Sequence, residues 1–422
     1  MVKTLDVYLG GVLCGVVDQS GSGNLSFRYD ETYRTAPEAT PLSLSMPLVA
    51  SHHPKRSVLP FLEGLLPDSA IALSAIAATF GVSPKNPFAL LSHIGRDVAG
   101  ALVFVAPGDN PPPAAPPVPK YRAVDDAEVG AMLRASIARY ELGVDSQGSP
   151  SQFSLAGAQP KIVLFKGADG WAVPENDTPT THILKPVAGG IRQIDVVEHL
   201  TMSAAHRLGN TVARSSLASI DGVDVFVSER YDRAIQNGLV TRLHQEDLCQ
   251  ALAISPVKKY QRQDGGPGVR DIARLLASLP LEGDRIGAAR AFYKALVFNV
   301  IAGCTDAHAK NYSLLLNGKT VTLAPLYDLV SYAAYWEGES AIYSSMSIEG
   351  EYSLGQISQS ALMKTGELFG IADEAEEIVV ETMAGIAGAF SESRDELLGI
   401  YPEARFIADT LVRNVERLPL VK

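Results

Sequence analysis

Asn299–Val330 reads NVIAGCTDAHAKNYSLLLNGKTVTLAPLYDLV, and the rest of the chain is organised around it. Asp306 and Asn311 stand five positions apart in D-A-H-A-K-N. Tyr312–Leu316 and Lys319–Leu323 are short apolar runs joined by Asn317-Gly318, the strongest two-residue signal for a β-hairpin. Such a turn pairs position 316 with 319 and sets Asn311 roughly opposite Ala324. Asp328 follows one short excursion later. One hairpin is therefore expected to carry Asp306, Asn311 and Asp328 to the same end of a sheet.

That trio matches the needs of phosphoryl transfer: one carboxylate accepts the proton of an attacking hydroxyl, while an amide and a second carboxylate hold magnesium against a triphosphate. D-x-x-x-x-N, a hairpin and then an Asp is the layout of a protein-kinase catalytic loop and its metal-binding Asp. Cys304-Thr305-Asp306 stands where H-R-D is usual, and Asp328-Leu329-Val330 where D-F-G is usual. Alone, D-A-H-A-K-N is equally compatible with a polar turn. The hairpin and the downstream Asp favour the kinase.

The bulk properties fit that reading. A chain of 422 residues has room for two or three domains. Its composition, 46% hydrophobic and 20% charged, is that of a folded protein. A formal net charge of −11 argues against charge-driven binding to nucleic acid or an anionic membrane, while leaving DNA reachable through a basic partner. Cys14, Cys249 and Cys304 match no metal-ligand spacing and suit a reducing cytoplasm. No signal peptide is expected, since MVKTLDVYLGG already alternates as a strand. The longest apolar stretch, Ala70–Phe80, is too short for a bilayer, so no membrane association is expected.

Residues 1–106 read as a small α+β subdomain. Leu5, Val7 and Leu9 alternate, then Val12, Cys14 and Val16, then Leu25, Phe27 and Tyr29. FLEGLLPD (Phe61–Asp68) and an Ala-rich run from Ser69 to Phe80 read as helical, closing at Gly81, before a strand at Ala101–Ala106. His52-His53 reads as part of a solvated loop. Residues 107–120, with seven prolines between 107 and 119, form a linker or long surface loop and the clearest candidate boundary. A helix is expected from Asp125 to Tyr140.

Residues 121–233 read as a strand-rich lobe. Ser154-Leu-Ala-Gly-Ala-Gln-Pro-Lys161 is a small-residue loop feeding the strand Ile162–Phe165. Small side chains let backbone N–H groups approach phosphate oxygens, although one Gly between alanines equally suits a plain turn. Lys185 ends a short apolar strand, where it serves as a phosphate ligand or as a snorkelling strand-end lysine. Glu198, in the helix Asp195–Leu208, either pairs with Lys185 or faces water and serves the helix dipole. Asp221-Gly222 signals a second hairpin, running into Ser228–Arg233. Residues 234–422 read as mostly helical: Ala288–Ala302 is a buried helix delivering the catalytic loop, and the tail helix packs through Phe406, Ala408, Leu411, Val412 and Val415.

SLAGAQPK, THILKP, RLHQEDLCQAL, AGCTDAHAKNYSLLL and LAPLYDLVS together resemble the HipA family of bacterial serine/threonine kinases, the toxins of type II toxin–antitoxin modules. FLEGLLPD and IGRDVAGAL resemble that family's N-terminal subdomain. The likeness covers nearly the whole chain, with the motifs in order. It implies an α+β, bilobal protein-kinase-like fold with a strand-rich N-lobe, a helical C-lobe and a small α+β N-terminal subdomain.

The resemblance also implies roles. Asp306 is the catalytic base, and Asn311 and Asp328 bind Mg²⁺. Lys185 contacts the ATP phosphates, Ala156, Gly157, Ala158, Gln159 and Lys161 form the phosphate loop, and His308 joins the nucleotide-binding set. Glu229 and Tyr231 offer hinge backbone to adenine. Ser154 corresponds to the family's autophosphorylation site, where a phosphate would place nearly two negative charges beside the loop that cradles ATP. The implied partners are a small HipB-like DNA-binding antitoxin, which makes most of the DNA contacts, and a protein substrate from the translation machinery, an aminoacyl-tRNA synthetase by precedent. Cys304 replaces a common Asn and Pro160 a common Glu. Two other readings stand beside this one. One is a catalytically weak co-repressor. The other is a metallophosphoesterase, from the D-x-H of Asp306-Ala-His308, though the further ligand clusters of that class are missing.

Overall fold

The strands β1 (Lys3–Leu9), β2 (Val12–Gln19) and β3 (Leu25–Tyr29) form where the alternation predicts them, and β4 (His52–Pro54) and β5 (Leu102–Val105) complete a sheet ordered β4-β3-β2-β1-β5. The computed structural model describes residues 3–115, 118–143, 156–175 and 177–421. Leu5, Val7, Leu25, Phe27 and Tyr29 turn inward as expected. Within β2 the pattern breaks. Val7 pairs with Gly15 but Tyr8 with Leu13, so Cys14 is an extra residue in a β-bulge. One inserted residue flips every later side chain to the other face. Cys14 and Val17 are accordingly buried, while Val12 is exposed and Val16 only half-buried.

His53 is not on a solvated loop. It is buried in β4 beside the Phe27 and Tyr29 rings, with Nε2 3.1 Å from the Ala50 carbonyl oxygen. FLEGLLPD is helical only in its first half. The helix Lys55–Gly64 ends inside the motif, and Leu65–Asp68 turns away before Ser69 caps the next helix, Ala70–Phe80. Ser69 Oγ accepts the Ala72 N–H at 3.2 Å, and Gly81 closes the helix in the left-handed region, φ 63°.

A second sheet is ordered β10-β11-β9-β7-β8-β6, from β6 (Tyr121–Ala123), β7 (Ile162–Gly167), β8 (Gly170–Pro174), β9 (His182–Pro186), β10 (Ser215–Ile220) and β11 (Val223–Glu229). The helix Asp126–Leu142 packs on it through Val129 and Leu133, which are buried with Ile162, Leu164, Leu184 and Val225. Asp221 and Gly222 both have positive φ, 49° and 74°, as a type I′ turn demands.

The chain divides into two compact units, Met1–Gly189 with Ala218–Val257 and Leu315–Lys319, and Gly190–Leu217 with Lys258–Leu314 and Thr320–Lys422. The described residues on both sides of the proline-rich segment fall in the first unit. Pro113 and Ala114 lie against the β1–β2 turn, where a Cβ on Gly11 would sit 2.4 Å from the Pro113 carbonyl oxygen. Gly11, at φ 84°, leaves the room that contact needs.

Two hairpins were not expected in the C-terminal half. β12 (Arg233–Gln236) and β13 (Leu239–Arg242) meet across Asn237-Gly238, with φ of 51° and 76°. After β14 (His244–Asp247) and the long helix Glu282–Ile301 come β15 (Ser313–Asn317) and β16 (Thr320–Leu323). β17 (Tyr343–Ile348) and β18 (Glu351–Ser353) then meet across Glu349-Gly350. The Asn-Gly signal at 237–238 was there to be read.

The 313–323 hairpin forms one residue out of the expected register. The Ala324 N–H donates to the Ser313 carbonyl at 2.8 Å, so Asn317 and Thr320 end the strands and the turn is Gly318-Lys319. Of the two, only Gly318 has positive φ, 58°, which suits a type II′ turn with Gly first. In that register Asn311 lines up with Leu326 rather than Ala324. Phe406 also departs from expectation, being 65% exposed, while Ile407, Ala408, Leu411, Val412 and Val415 form the packed face of the helix Arg405–Val415.

Within the first unit, Glu246 is fully buried and accepts from Ser43 Oγ (2.5 Å) and the Leu44 N–H (2.8 Å). Burial pushes its carboxyl up to about 8, against the lowering effect of those bonds. Its folded pKa is then above its unfolded one, so folding takes up a proton and stability falls as pH rises from about 4.5 to about 8. Glu246→Gln is expected to flatten that slope and to stabilise the fold by roughly 1–3 kcal/mol at pH 8. Urea unfolding at pH 5.5 and pH 8 checks it; equal pH slopes in the two proteins would refute it.

Candidate active site

The helix Glu282–Ile301 is buried along its second half and delivers the D-A-H-A-K-N stretch just beyond its end. Gly303 breaks the helix at φ 70°, and the buried Cys304 returns its N–H to the Asn299 carbonyl at 2.8 Å. Asn299 Nδ2 donates to the Tyr312 hydroxyl at 2.7 Å, so helix end and hairpin start are bonded through a buried pair.

Between them D-A-H-A-K-N closes on itself. The His308 N–H donates to the Asp306 carbonyl at 2.8 Å, the Asn311 N–H to the His308 carbonyl at 2.9 Å, and Asn311 Nδ2 to the Asp306 carbonyl at 2.9 Å. The five-residue spacing matters because it lets the Asn311 side chain reach back and brace the turn. With Nδ2 committed, Oδ1 is the end of that amide suited to a cation. Asp306 projects from the turn with its side chain 61% exposed.

Asp328 is brought beside this turn by its neighbours. The Tyr327 hydroxyl donates to the Lys310 carbonyl (3.0 Å) and takes a hydrogen bond from Ser313 Oγ (2.7 Å). Leu326 bridges Val212 in parallel, exchanging bonds with Thr211 and Ala213. On the far side, Ser331 Oγ donates to the Ala302 carbonyl (2.6 Å) and the Tyr332 N–H to the Gly303 carbonyl (2.9 Å). Asp328 itself is held at φ 57°, a conformation a non-glycine residue rarely adopts.

Its charge is felt at His308. Burial, with Lys259 and Lys310 adding to it, pushes the imidazole down to about 4 against the opposing pull of Asp328. The ring is neutral at pH 7, and its Nδ1 is buried without a hydrogen-bond partner. Asp306, His308, Asn311 and Asp328 are therefore gathered in one place within the second unit. Oxygen donors from an amide and a carboxylate fit a hard cation such as Mg²⁺, which takes few protein ligands and completes its shell with water and phosphate. Among the described residues no three His, Cys, Asp or Glu side chains cluster as a metal site of their own, which the metallophosphoesterase reading would need.

The other candidates lie in the first unit. Gly157 has φ 112° and a parallel bridge to Pro67, and its carbonyl accepts the Asp68 N–H at 3.1 Å. The end of FLEGLLPD thus pins the small-residue loop. Lys161 Nζ donates to the Ala156 carbonyl at 2.6 Å, folding the loop over Ala158 and Gln159. Ser154 lies outside the described residues. A Cβ on Gly157 would stand 2.3 Å from Lys161 Nζ. If this loop cradles the ATP phosphates, as the sequence leads one to expect, Gly157→Ala weakens ATP binding about tenfold, through backbone strain and displacement of Lys161. Titration with a fluorescent ATP analogue checks it, and unchanged affinity would contradict it.

Lys185 pairs with Phe226 across β9 and β11, half-buried, with Nζ 5.3 Å from the ring centroid. Glu198, in the second unit, is not a solvated first-turn glutamate: it is 2% exposed. Glu229 is exposed at the end of β11, and the Tyr231 hydroxyl bonds Gln245 Oε1.

What sequence reasoning missed is the charge cluster that holds this segment. Arg230, Asp232, Arg233 and Asp97 are all buried. Arg230 pairs with Asp232 (2.8 Å) and Asp97 (3.4 Å), and Arg233 with Asp97 (2.8 Å) and Asp232 (3.1 Å). Thr180 Oγ1 donates to Asp97 at 2.6 Å. Burial raises the Asp97 carboxyl, but the Arg233, Arg230 and Arg242 guanidiniums outweigh it and hold the group well below the carboxylate range. The alternating charges of E-R-Y-D-R were the available signal. Their partner lies in IGRDVAGAL, and only folding names it.

Comparisons with known proteins place the chain in a family. The family model for the HipA N-terminal domain matches residues 5–105, and that for the HipA-like C-terminal domain matches residues 153–390, more than half of the chain. A putative kinase of Sinorhizobium fredii, Y4mE, is 37% identical over 342 residues, 79% of this chain and 78% of its own. The serine/threonine-protein kinase toxin HipA of Shewanella oneidensis is 29% identical over 420 residues, 96% of this chain and 93% of its own. The solved complex of Shewanella oneidensis MR-1 HipA with HipB and its operator DNA contains a chain of the same α+β kinase-like fold, with a TM-score of 0.80 at 26% identity, covering 98% of this chain and 97% of that one. With both of the family's domains matched in order and its fold shared almost from end to end, this chain belongs to the HipA family of serine/threonine kinase toxins.

Proposed function

We propose that this chain is an ATP-dependent serine/threonine protein kinase, the toxin of a HipBA-like pair. The observation that carries the reading is the bracing of one turn: Asn311 tied back to Asp306, and Tyr327 tying the residue before Asp328 to Lys310 and Ser313. Asp306 takes the proton of the acceptor hydroxyl as that oxygen bonds to the γ-phosphorus and the bond to the ADP oxygen breaks. Asn311 and Asp328 would hold Mg²⁺, which would supply charge to offset that of the phosphates. His308, neutral and buried, lines the phosphate side. Lys161, Lys185 and the backbone of Ala156–Gln159 hold the phosphates, and backbone groups at Glu229 and Tyr231 meet the adenine.

Ser154 is the proposed self-acceptor. A HipB-like DNA-binding antitoxin is the proposed partner, by likeness to the Shewanella complex, with DNA reached through it. The proposed substrate is a protein of the translation machinery, and the proposed compartment is the cytoplasm. Among the described residues no helix is long and apolar enough to cross a membrane.

Incubation with γ-labelled ATP and Mg²⁺ tests the reading. Label is expected on protein, including the peptide that carries Ser154. Release of phosphate from simple phosphoesters without protein labelling would overturn it.

A further inference from the structure

Neither motif nor spacing singled out Tyr260. It precedes the short helical turn Gln261–Asp264, and its hydroxyl donates to Oδ1 of Asp306 at 2.6 Å, across 46 residues of sequence. The ring is held at two points. It stands edge-on to the His308 imidazole, centroids 4.8 Å apart and planes at 79°, and Lys259 Nζ lies 5.5 Å from its centroid. His308 Nε2 is 4.0 Å from that same Oδ1, beyond hydrogen-bond length.

A general base works only if its lone pair points at the proton it takes, and small misplacements cost large factors in rate. The Asp306 side chain is mostly exposed, so packing does not confine its rotamer. A phenol already fixed by an imidazole and an ammonium does. We propose that Tyr260 is the positioning residue of Asp306: its donated hydrogen bond holds the carboxylate in the orientation that meets the acceptor hydroxyl. This rests on the assignment of Asp306 as the base. In the transfer the acceptor's proton passes to Asp306, the acceptor oxygen bonds to phosphorus, and ADP leaves. Tyr260 keeps its own proton throughout.

The test uses the full chain with γ-labelled ATP and Mg²⁺, following label incorporated into the chain itself while ATP is varied. Tyr260→Phe keeps the ring and removes the hydroxyl. It is expected to lower the maximal rate about tenfold or more and to leave the ATP concentration at half-saturation within about twofold. Unchanged half-saturation also certifies that the variant is folded. Added to Asp306→Asn, the substitution is expected to cost nothing further, because it acts through that carboxylate. Tyr260→Gln, which keeps an N–H donor, is expected to be faster than Tyr260→Ala and serves should the Phe variant fold poorly.

Several results overturn the proposal. One is a Phe variant at the wild-type rate with only the Ala variant impaired, which leaves ring packing as the residue's whole role. Another is a rise in half-saturation at unchanged maximal rate. A third is an undiminished effect of Tyr260→Phe in the Asp306→Asn background. If Asp306→Asn itself keeps transferring phosphate, the base assignment falls and the Tyr260 proposal with it. If that variant is inactive and Tyr260→Phe is normal, the positioning role alone falls.

Discussion

Asp306→Asn is expected to lower protein labelling from ATP by about a thousandfold while ATP affinity stays within a few fold. The size follows from what is removed. An amide of the same shape cannot take up the acceptor's proton, so the hydroxyl must attack without general-base help, an effect on the order of 10²–10⁴ in rate. The surroundings have little reason to change. The bond from Asn311 Nδ2 goes to the backbone carbonyl of residue 306, not to its carboxylate. The Tyr260 hydroxyl can still donate to Oδ1 of the amide, the contact it makes at 2.6 Å with the carboxylate. Stopped-time labelling and nucleotide titration on the same preparations separate the two quantities. Transfer at more than about a tenth of the wild-type rate would remove Asp306 from the role given to it here.

Asp97→Asn is expected to have the largest effect on stability, a loss of about 3–5 kcal/mol. The Arg230 and Arg233 side chains are each 1% exposed and that of Asp97 10%. Neutralising Asp97 leaves two buried guanidiniums to share one remaining carboxylate, Asp232, and burying charge without its counter-charge is what makes such changes severe. Arg122→Gln, which breaks an exposed pair with Glu128, serves as the control and is expected to cost less than about 1 kcal/mol. Denaturant unfolding of the three proteins decides it; an Asp97→Asn midpoint equal to that of the control would refute the argument.

The pH dependence has the opposite sign to that of Glu246. Asp97 titrates lower in the folded chain than in the unfolded one, so its contribution is complete above about pH 4 and is lost as pH falls through the folded value. The functional stake is local. These arginines flank Tyr231 and tie the segment after β11 to Val98 and Gly100, so loosening them is expected to disturb the backbone proposed to meet adenine.

The sequence by itself determined the local chemistry of this protein. Gly and Asx at paired positions set the Asp221-Gly222 turn. Asp306 and Asn311 at a five-residue spacing set the braced loop. Alternation set the strands, Ser69 and Gly81 the ends of a helix, and motif order the family. Apart from motif order, which spans the chain, each of these is set by close neighbours in sequence, where steric and hydrogen-bonding preferences act directly. The tertiary structure alone decided the rest: the bulge at Cys14 that moves Val17 inward, the one-residue shift that makes Gly318-Lys319 the turn, the meeting of Asp97 with Arg230 and Arg233, the pinning of Gly157 by Pro67 and Asp68, and the phenol on Asp306. The last three come from packing, hydrogen bonding and charge pairing between distant segments, 46 residues apart for Tyr260 and 133 for Arg230. At such separations no single residue carries a signal for its partner, and the free energy that selects the pair exists only once the chain has closed around it.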